Sequence, residues 1–255
     1  LLRANRNGFA LMGRHVTSMT IDDVEHYSEA EKASIIASYP AHEREARAKG
    51  IPTMGSGRVF PIAEHMVAIP RKPIPPFWVQ INGLDFGWDH PFAAVNLAWD
   101  RDADCLIVTK CYRRKEATPV IHAASIRPWG EWIPCAWPHD GYQHDKGSGL
   151  DLAAQYRAQH LRMLDEHATH EEGGNGVEAG LMEMLDRMET DRFKVFDDLN
   201  DWFEEFRLYH RLDGKLVKER DDLMSATRYA VMMRRFAITQ PAVGVPRKAR
   251  LGMVV

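Results

Sequence analysis

Four aspartates stand where a phosphodiester-cutting centre would want them. Asp85 closes the apolar run Trp78–Asp85, within Leu84-Asp85-Phe86-Gly87. Asp140 follows a second short apolar run, within Trp137-Pro138-His139-Asp140-Gly141. Asp221 and Asp222 open a third segment, within Glu219-Arg220-Asp221-Asp222-Leu223. Carboxylates gathered at low dielectric repel one another, and divalent cations relieve that repulsion. Magnesium prefers oxygen ligands and keeps several waters, so two or three carboxylates plus a substrate phosphate suit it. Two such ions about 3.5–4 Å apart can activate a water and stabilise a leaving oxygen. Each aspartate also has a plainer reading. An Asp after a strand forms turns or caps helices, and acids at a helix start complement its macrodipole.

The elements that must position these acids are legible in the hydrophobic pattern. Trp78–Asp85, Phe92–Trp99 and Cys105–Tyr112 read as three strands of an antiparallel meander, with Asp100–Asp104 as a polar turn. Pro119–Trp132 reads as a helix, Ile133–Pro138 as a fourth strand and Gly149–Gln159 as a helix. Val177–Met188 is helical, Phe193–Phe196 a short strand, Leu199–Tyr209 helical and Asp221–Arg235 a final amphipathic helix. Arg211–Lys215 reads as a turn between extended pieces. Strands followed by alternating helices and strands imply an α/β fold: a mixed central sheet flanked by helices. Upstream, Ser28 with Glu31 forms a capping box, and Ala41–Lys49 reads as a charged helix stopped at Gly50. Gly55-Ser56-Gly57 and the run of Pro70, Pro73, Pro75 and Pro76 mark a linker. The expected domains are therefore a helical linker over 1–75, the sheet domain over 76–239, and a mobile tail over 240–255.

Composition bounds the alternatives. The chain has 255 residues, 45% of them hydrophobic, enough for one good core. No stretch approaches the roughly 18 apolar residues of a membrane span, and no secretory signal opens the chain. Cys105, Cys111 and Cys135 are scattered without C-x-x-C spacing, which speaks against structural zinc and for a reducing compartment. The formal net charge of −3 lends no bulk support to nucleic-acid binding, although basic residues cluster locally.

Several stretches together resemble the C-terminal nuclease domain of tailed-phage terminase large subunits, a group of RNase H-like (RuvC-like) nucleases. They are Gly83–Pro91, Pro138–Gly141, and Trp202–His210 followed by Asp213-Gly214-Lys215 and Asp221–Ala230; Glu43–Pro52 and Ser56–Pro61 resemble the joint to the packaging ATPase. The resemblance spans roughly Thr17 to Thr239. It implies an RNase H-like sheet and a DNA endonuclease that cuts concatemeric double-stranded viral DNA into genome units. It makes Asp85, Asp140 and Asp222 the catalytic metal ligands, with Asp221 as the competing third ligand. The implied cofactors are two Mg²⁺ or Mn²⁺ ions. The implied partners are double-stranded DNA, the portal protein and the terminase small subunit, with no membrane and with the host bacterial cytoplasm as the setting. Ser225 stands where some relatives carry an acid, which leaves the third ligand open between Asp221 and Asp222. The phosphate-cradling G-x-x-x-x-G-K-[ST] is missing, so an ATPase domain is expected upstream of Leu1. A junction resolvase or another RNase H-like nuclease is the alternative enzyme. A non-catalytic DNA or portal-docking module is the alternative outside enzymes.

Candidate phosphate contacts are Lys146, in the loop after Asp140, and Arg113, Arg114, Arg220 and Arg228. Ordinary surface charge explains each of them equally well. Asp89 and His90 are candidates to touch a metal or phosphate, with a turn role as the plainer reading; His139 reads as structural; Trp88, Trp137 and Trp202 are candidates to stack on bases, with core or rim packing as the plainer reading.

Overall fold

The structure, a computed structural model, describes residues 20–24, 26–38, 57–143, 149–212 and 214–241. The expected helix over Ala41–Lys49, its stop at Gly50, the loop residue Lys146 and the tail from 242 onward lie outside these residues.

The chain divides into two units, residues 1–53 and 54–255. The first contains helix α1 (Glu29–Ser38). Its start is the capping box read from sequence: the Ser28 amide donates to Glu31 Oε2 at 2.8 Å and the Glu31 amide donates back to Ser28 Oγ at 3.3 Å.

The second unit is built on strands β1 (Ala68–Ile69), β2 (Val79–Asp85), β3 (Phe92–Asp100), β4 (Cys105–Arg114), β5 (Pro134–Ala136), β6 (Arg162–Met163) and β7 (Phe193–Phe196). They form one seven-stranded sheet in the order β1-β7-β4-β3-β2-β5-β6. Strands β2, β3 and β4 are the expected antiparallel meander, and β5, β6, β7 and β1 join in parallel. The β3–β4 turn is tight because Asp100 Oδ1 accepts from the amides of Asp102 and Ala103. A small hairpin of β8 (Arg211–Leu212) and β9 (Lys215–Leu216) stands apart from the sheet.

Helices cover both faces. Among the described residues the remaining α-helices are α2 (Glu64–Val67), α3 (Pro119–Ile126), α4 (Leu152–Ala158), α5 (Val177–Glu189), α6 (Asn200–Leu208) and α7 (Asp222–Met232). One face, carrying Ile81, Ala93, Val95 and Leu97, packs against Leu181 and Met184 of α5, Trp202 and Phe206 of α6, and Leu223, Ala226 and Ala230 of α7. The opposite face, carrying Leu84, Phe92 and Ala94, packs against Ala123 and Ile126 of α3 and Ala153 and Tyr156 of α4. No helix among the described residues is long and apolar enough to cross a membrane.

The sequence assigns the stretch before residue 76 to a linker. In the structure Val59, Phe60, Ile62 and Val67 are buried in the sheet unit's core, and β1 pairs Ala68 with Val195. A two-residue strand and a one-turn helix between prolines are too short to show a period. Their place is set by what they pack on.

Candidate active site

Asp85 is the last residue of β2, on the same sheet face as Gly83. A Cβ on Gly83 would come within 2.0 Å of the Ala226 carbonyl oxygen and 2.9 Å of Ala230 Cβ. Helix α7 therefore lies directly on the strand at this glycine. From Gly83 to Asp85 the strand advances roughly 6.6 Å, and from Ala226 back to Asp222 the helix spans roughly 6 Å. The close contact at Gly83 thus carries the start of α7, with Asp221 and Asp222, over Asp85.

Asp140 arrives by a different route. Strand β5 runs parallel to β2, pairing Ala136 with Gly83, so both strands end at one sheet edge. Past that edge the chain makes a 3-10 turn, His139–Tyr142. Gly141 packs against the Trp137 ring, where a Cβ would approach Cε3 within 2.3 Å. The turn is thereby folded back and exposes Asp140 at the cleft.

The four aspartates line one cleft of about 770 Å³, together with His90, Ser225, Arg228 and Tyr229. Their charges act on each other. The Asp85 carboxyl is raised well above the usual carboxylate range, first by desolvation, then by the charges of Asp222, Asp221 and Asp140, with Arg228 opposing. Asp221 is raised by burial and then by Asp222. Asp222 is raised by burial, against the pull of His90. His90 Nδ1 and Asp222 Oδ1 are 3.1 Å apart, the imidazole donating to the carboxylate. Tyr229 has its phenol pushed up by burial and then by Asp85, with Asp140 adding to the effect.

Among the described residues, no three His, Cys, Asp or Glu side chains are grouped so as to hold a metal ion by themselves. That spacing disfavours a closed protein cage. The donor set still fits a hard cation that retains water: all-oxygen carboxylates, mutually repelling, facing an open cleft.

The basic candidates part company. Arg113 is tied down: Nη1 donates to Glu205 Oε1 at 2.9 Å and Nη2 to Glu204 Oε2 at 2.5 Å. Arg220 donates to Glu204 Oε1 at 3.1 Å. Arg228 is buried, its guanidinium 4.4 Å from the Tyr229 ring centroid, where it serves the acids as a counter-charge. Arg114 is exposed, and Lys115 and Lys218 stand in the cleft lining. Trp137 and Trp202 are fully buried, while Trp88 is exposed in the β2–β3 turn. His139 packs edge-on against Tyr142 and His167.

Sequence reasoning missed Glu205, Lys218 and Tyr229, and ranked a turn role for His90 above contact with a metal or phosphate. Glu205 is fully buried, its carboxyl pushed up to about 7 by desolvation against the pull of Arg113. Its signal was readable: it falls on the apolar stripe of α6, between Trp202 and Phe206, where an unpaired carboxylate would be costly.

Comparison with known proteins agrees with this architecture. Residues 82–234 match the family described as the terminase RNaseH-like domain, and residues 10–65 match the N-terminal family of terminase large subunits of T4likevirus type. The chain is 48% identical over 237 residues to the terminase large subunit of Salmonella phage P22, covering 92% of this chain and 48% of that protein. It is 50% identical over 220 residues to that of Enterobacteria phage LP7, covering 86% and 46%. The chain thus spans about half the length of these relatives. The solved nuclease domain of the P22 large terminase superposes with a TM-score of 0.69 at 47% identity, covering 73% of this chain and 97% of that one. The large terminase of a thermophilic bacteriophage shares the fold, with a TM-score of 0.55 at 16% identity, covering 84% of this chain and 55% of that one.

Proposed function

The chain belongs to the terminase large-subunit family through its RNase H-like domain, and we propose that its acidic cleft is a divalent-metal-dependent endonuclease centre for double-stranded DNA. The observation that carries this reading is the company of Asp85: a desolvated carboxyl at a strand end, destabilised by the charges of Asp222, Asp221 and Asp140 in one open cleft. Such an arrangement is relieved by a proton or by a bound cation, and the open cleft with its all-oxygen lining supports the cation.

In this proposal Asp85, Asp140 and Asp222 hold Mg²⁺ or Mn²⁺, with Asp221 beside them. The bound ions supply charge neutralisation and water activation for phosphodiester cleavage. The chain's own groups do the rest. His90 fixes the Asp222 carboxylate through its Nδ1 contact. Arg228 offsets part of the acidic charge from beneath. Lys115 and Lys218 draw the phosphate backbone to the cleft without reading bases.

Within the phage, this cut separates genome units from concatemeric DNA during packaging. The upstream ATPase, the portal protein and the terminase small subunit are the expected partners, and the host cytoplasm the setting. In this proposal the nuclease region takes in 76–239 together with the preceding segment whose Val59, Phe60 and Val67 share its core and whose β1 joins its sheet, the residues before that segment are the joint to the ATPase, and 240–255 are a tail.

Nicking of supercoiled plasmid in Mn²⁺, compared between the parent and Asp85→Ala, tests the assignment. Loss of nicking with an intact cooperative melt supports it. A folded Asp85→Ala protein that still cuts removes it.

A further inference from the structure

We infer that Arg113, Glu204 and Glu205 form a clamp that positions the Asp221–Asp222 segment over Asp85, with Arg220 as its outer tie. The inference rests on the nuclease reading of the cleft.

The clamp starts from the sheet. The register pairs Asp85 with Ala93 and Ala93 with Arg113, so Asp85 and Arg113 share one row on one face, roughly 10 Å apart across two strand spacings. The small Ala93 between them leaves room above. Arg113 then crosses to α6 and reaches two consecutive carboxylates, Glu205 through Nη1 and Glu204 through Nη2. Each carboxylate spends its second oxygen on the segment that carries the aspartates. Glu205 Oε2 accepts from the Leu223 amide at 2.6 Å, and Glu204 Oε1 accepts from Arg220 Nη1 at 3.1 Å. The Asp221–Asp222 pair is therefore gripped on both flanks, at residue 220 and at residue 223.

The backbone bears the mark of this grip. Arg220 sits at φ 55°, a left-handed conformation that costs a non-glycine residue energy and persists only where the surroundings impose it. The Leu223 amide is one of the first-turn donors that a helix cannot satisfy itself. Glu205 satisfies it with a side chain that has no exposed surface, so this bond is not shared with water. A planar guanidinium is suited to hold two carboxylates at fixed angles. Arg113, Glu204 and Glu205 are thus positioning residues that act through Asp221 and Asp222.

The test uses the whole chain and two variants. Glu205→Gln replaces one accepting oxygen with an NH2 that cannot accept, so the two bonds from Arg113 and the Leu223 amide cannot both be kept. Arg220→Gly removes the outer tie and suits the left-handed φ, so folding is preserved. Three readouts are taken: Mn²⁺ affinity without DNA, amide exchange at residues 222–224, and kcat and KM for plasmid nicking. The expected result for Glu205→Gln is Mn²⁺ binding weakened about tenfold, as for other supports of metal ligands, with faster exchange and a fall in kcat at unchanged KM. Arg220→Gly is expected to move the same readouts the same way, with its melting temperature held. Parent-like Mn²⁺ affinity and exchange in both variants overturn the clamp. So does an Arg220→Gly protein that changes only KM for DNA, which would make Arg220 a phosphate contact. A parent protein that binds no Mn²⁺ sinks the metal reading instead, and amide exchange then decides the clamp alone.

Discussion

Gly83 and Ala226 touch through backbone: a Cβ on the glycine would lie 2.0 Å from the alanine's carbonyl oxygen. Neither neighbour can swing aside, because both are main chain within a strand and a helix. Gly83→Ala is therefore expected to lift α7 from β2 and to cost about 3 kcal/mol, the upper range for overpacking. Urea unfolding checks the cost. Plasmid nicking should fall with it, since α7 carries Asp222 relative to Asp85. A fully stable and active Gly83→Ala protein would show that this contact does not set the site.

Asp85→Asn should remove cleavage and stabilise the metal-free fold. The carboxyl is raised in the folded state, so the folded protein binds more protons than the unfolded chain above the ordinary Asp range. Stability then falls as pH rises from the unfolded value through the folded one, and the amide abolishes that loss. Each 1 kcal/mol recovered appears as about 2–4 °C in a domain of this size. Mn²⁺ should raise the melting temperature of the parent and leave Asp85→Asn unmoved. A lower melting temperature for Asp85→Asn in metal-free neutral buffer would contradict this account.

His90→Ala isolates the support of Asp222. The His90 side chain is 64% exposed and that of Asp222 only 6%, so removing the imidazole should shift stability by less than about 0.5 kcal/mol. Cleavage should drop about tenfold, the scale for a group that orients a metal-binding carboxylate. Activity at parent level would leave His90 as a turn residue, its bland reading from sequence.

His122 sets part of the acid limit. It is buried in a stack with Phe92, its ring centroid 4.0 Å away, and burial pulls its pKa down to about 4. The folded value lies below the unfolded 6.5, so its stabilisation is complete above about 6.5 and lost as pH falls toward 4. The full loss is about 3 kcal/mol. His122→Phe keeps the stack and has no proton to take up. Its stability should decline less than the parent's between pH 7 and pH 4, as read from urea midpoints at each pH. Parallel acid limbs would refute the role.

Much of this molecule can be read from its residues in order. Strand runs with polar turns between them announce the meander, and Asp85, Asp140 and Asp221–Asp222 stand out because each follows or opens an apolar element. Local chemistry also states the Ser28–Glu31 capping box outright. What resists such reading has a common cause, which is dependence on distant partners. Strand β1 and the core residues Val59 and Phe60 are too short a signal to separate from a linker until β7 and α6 are present to receive them.

The same division runs through the candidate active site. The identity of the acids, and the all-oxygen chemistry they favour, follow from residue type and from the apolar elements that flank them, because burial pattern and charge are properties of the chain itself. The convergence of the four carboxylates, the pairing of His90 with Asp222, and the fate of Arg113 and Arg220 depend on register, on the glycine that admits α7, and on which side chains happen to face each other. An arginine near a cleft looks alike in sequence whether it awaits a phosphate or grips a buried glutamate. Only the fold brings Glu205 to Arg113, 92 residues away.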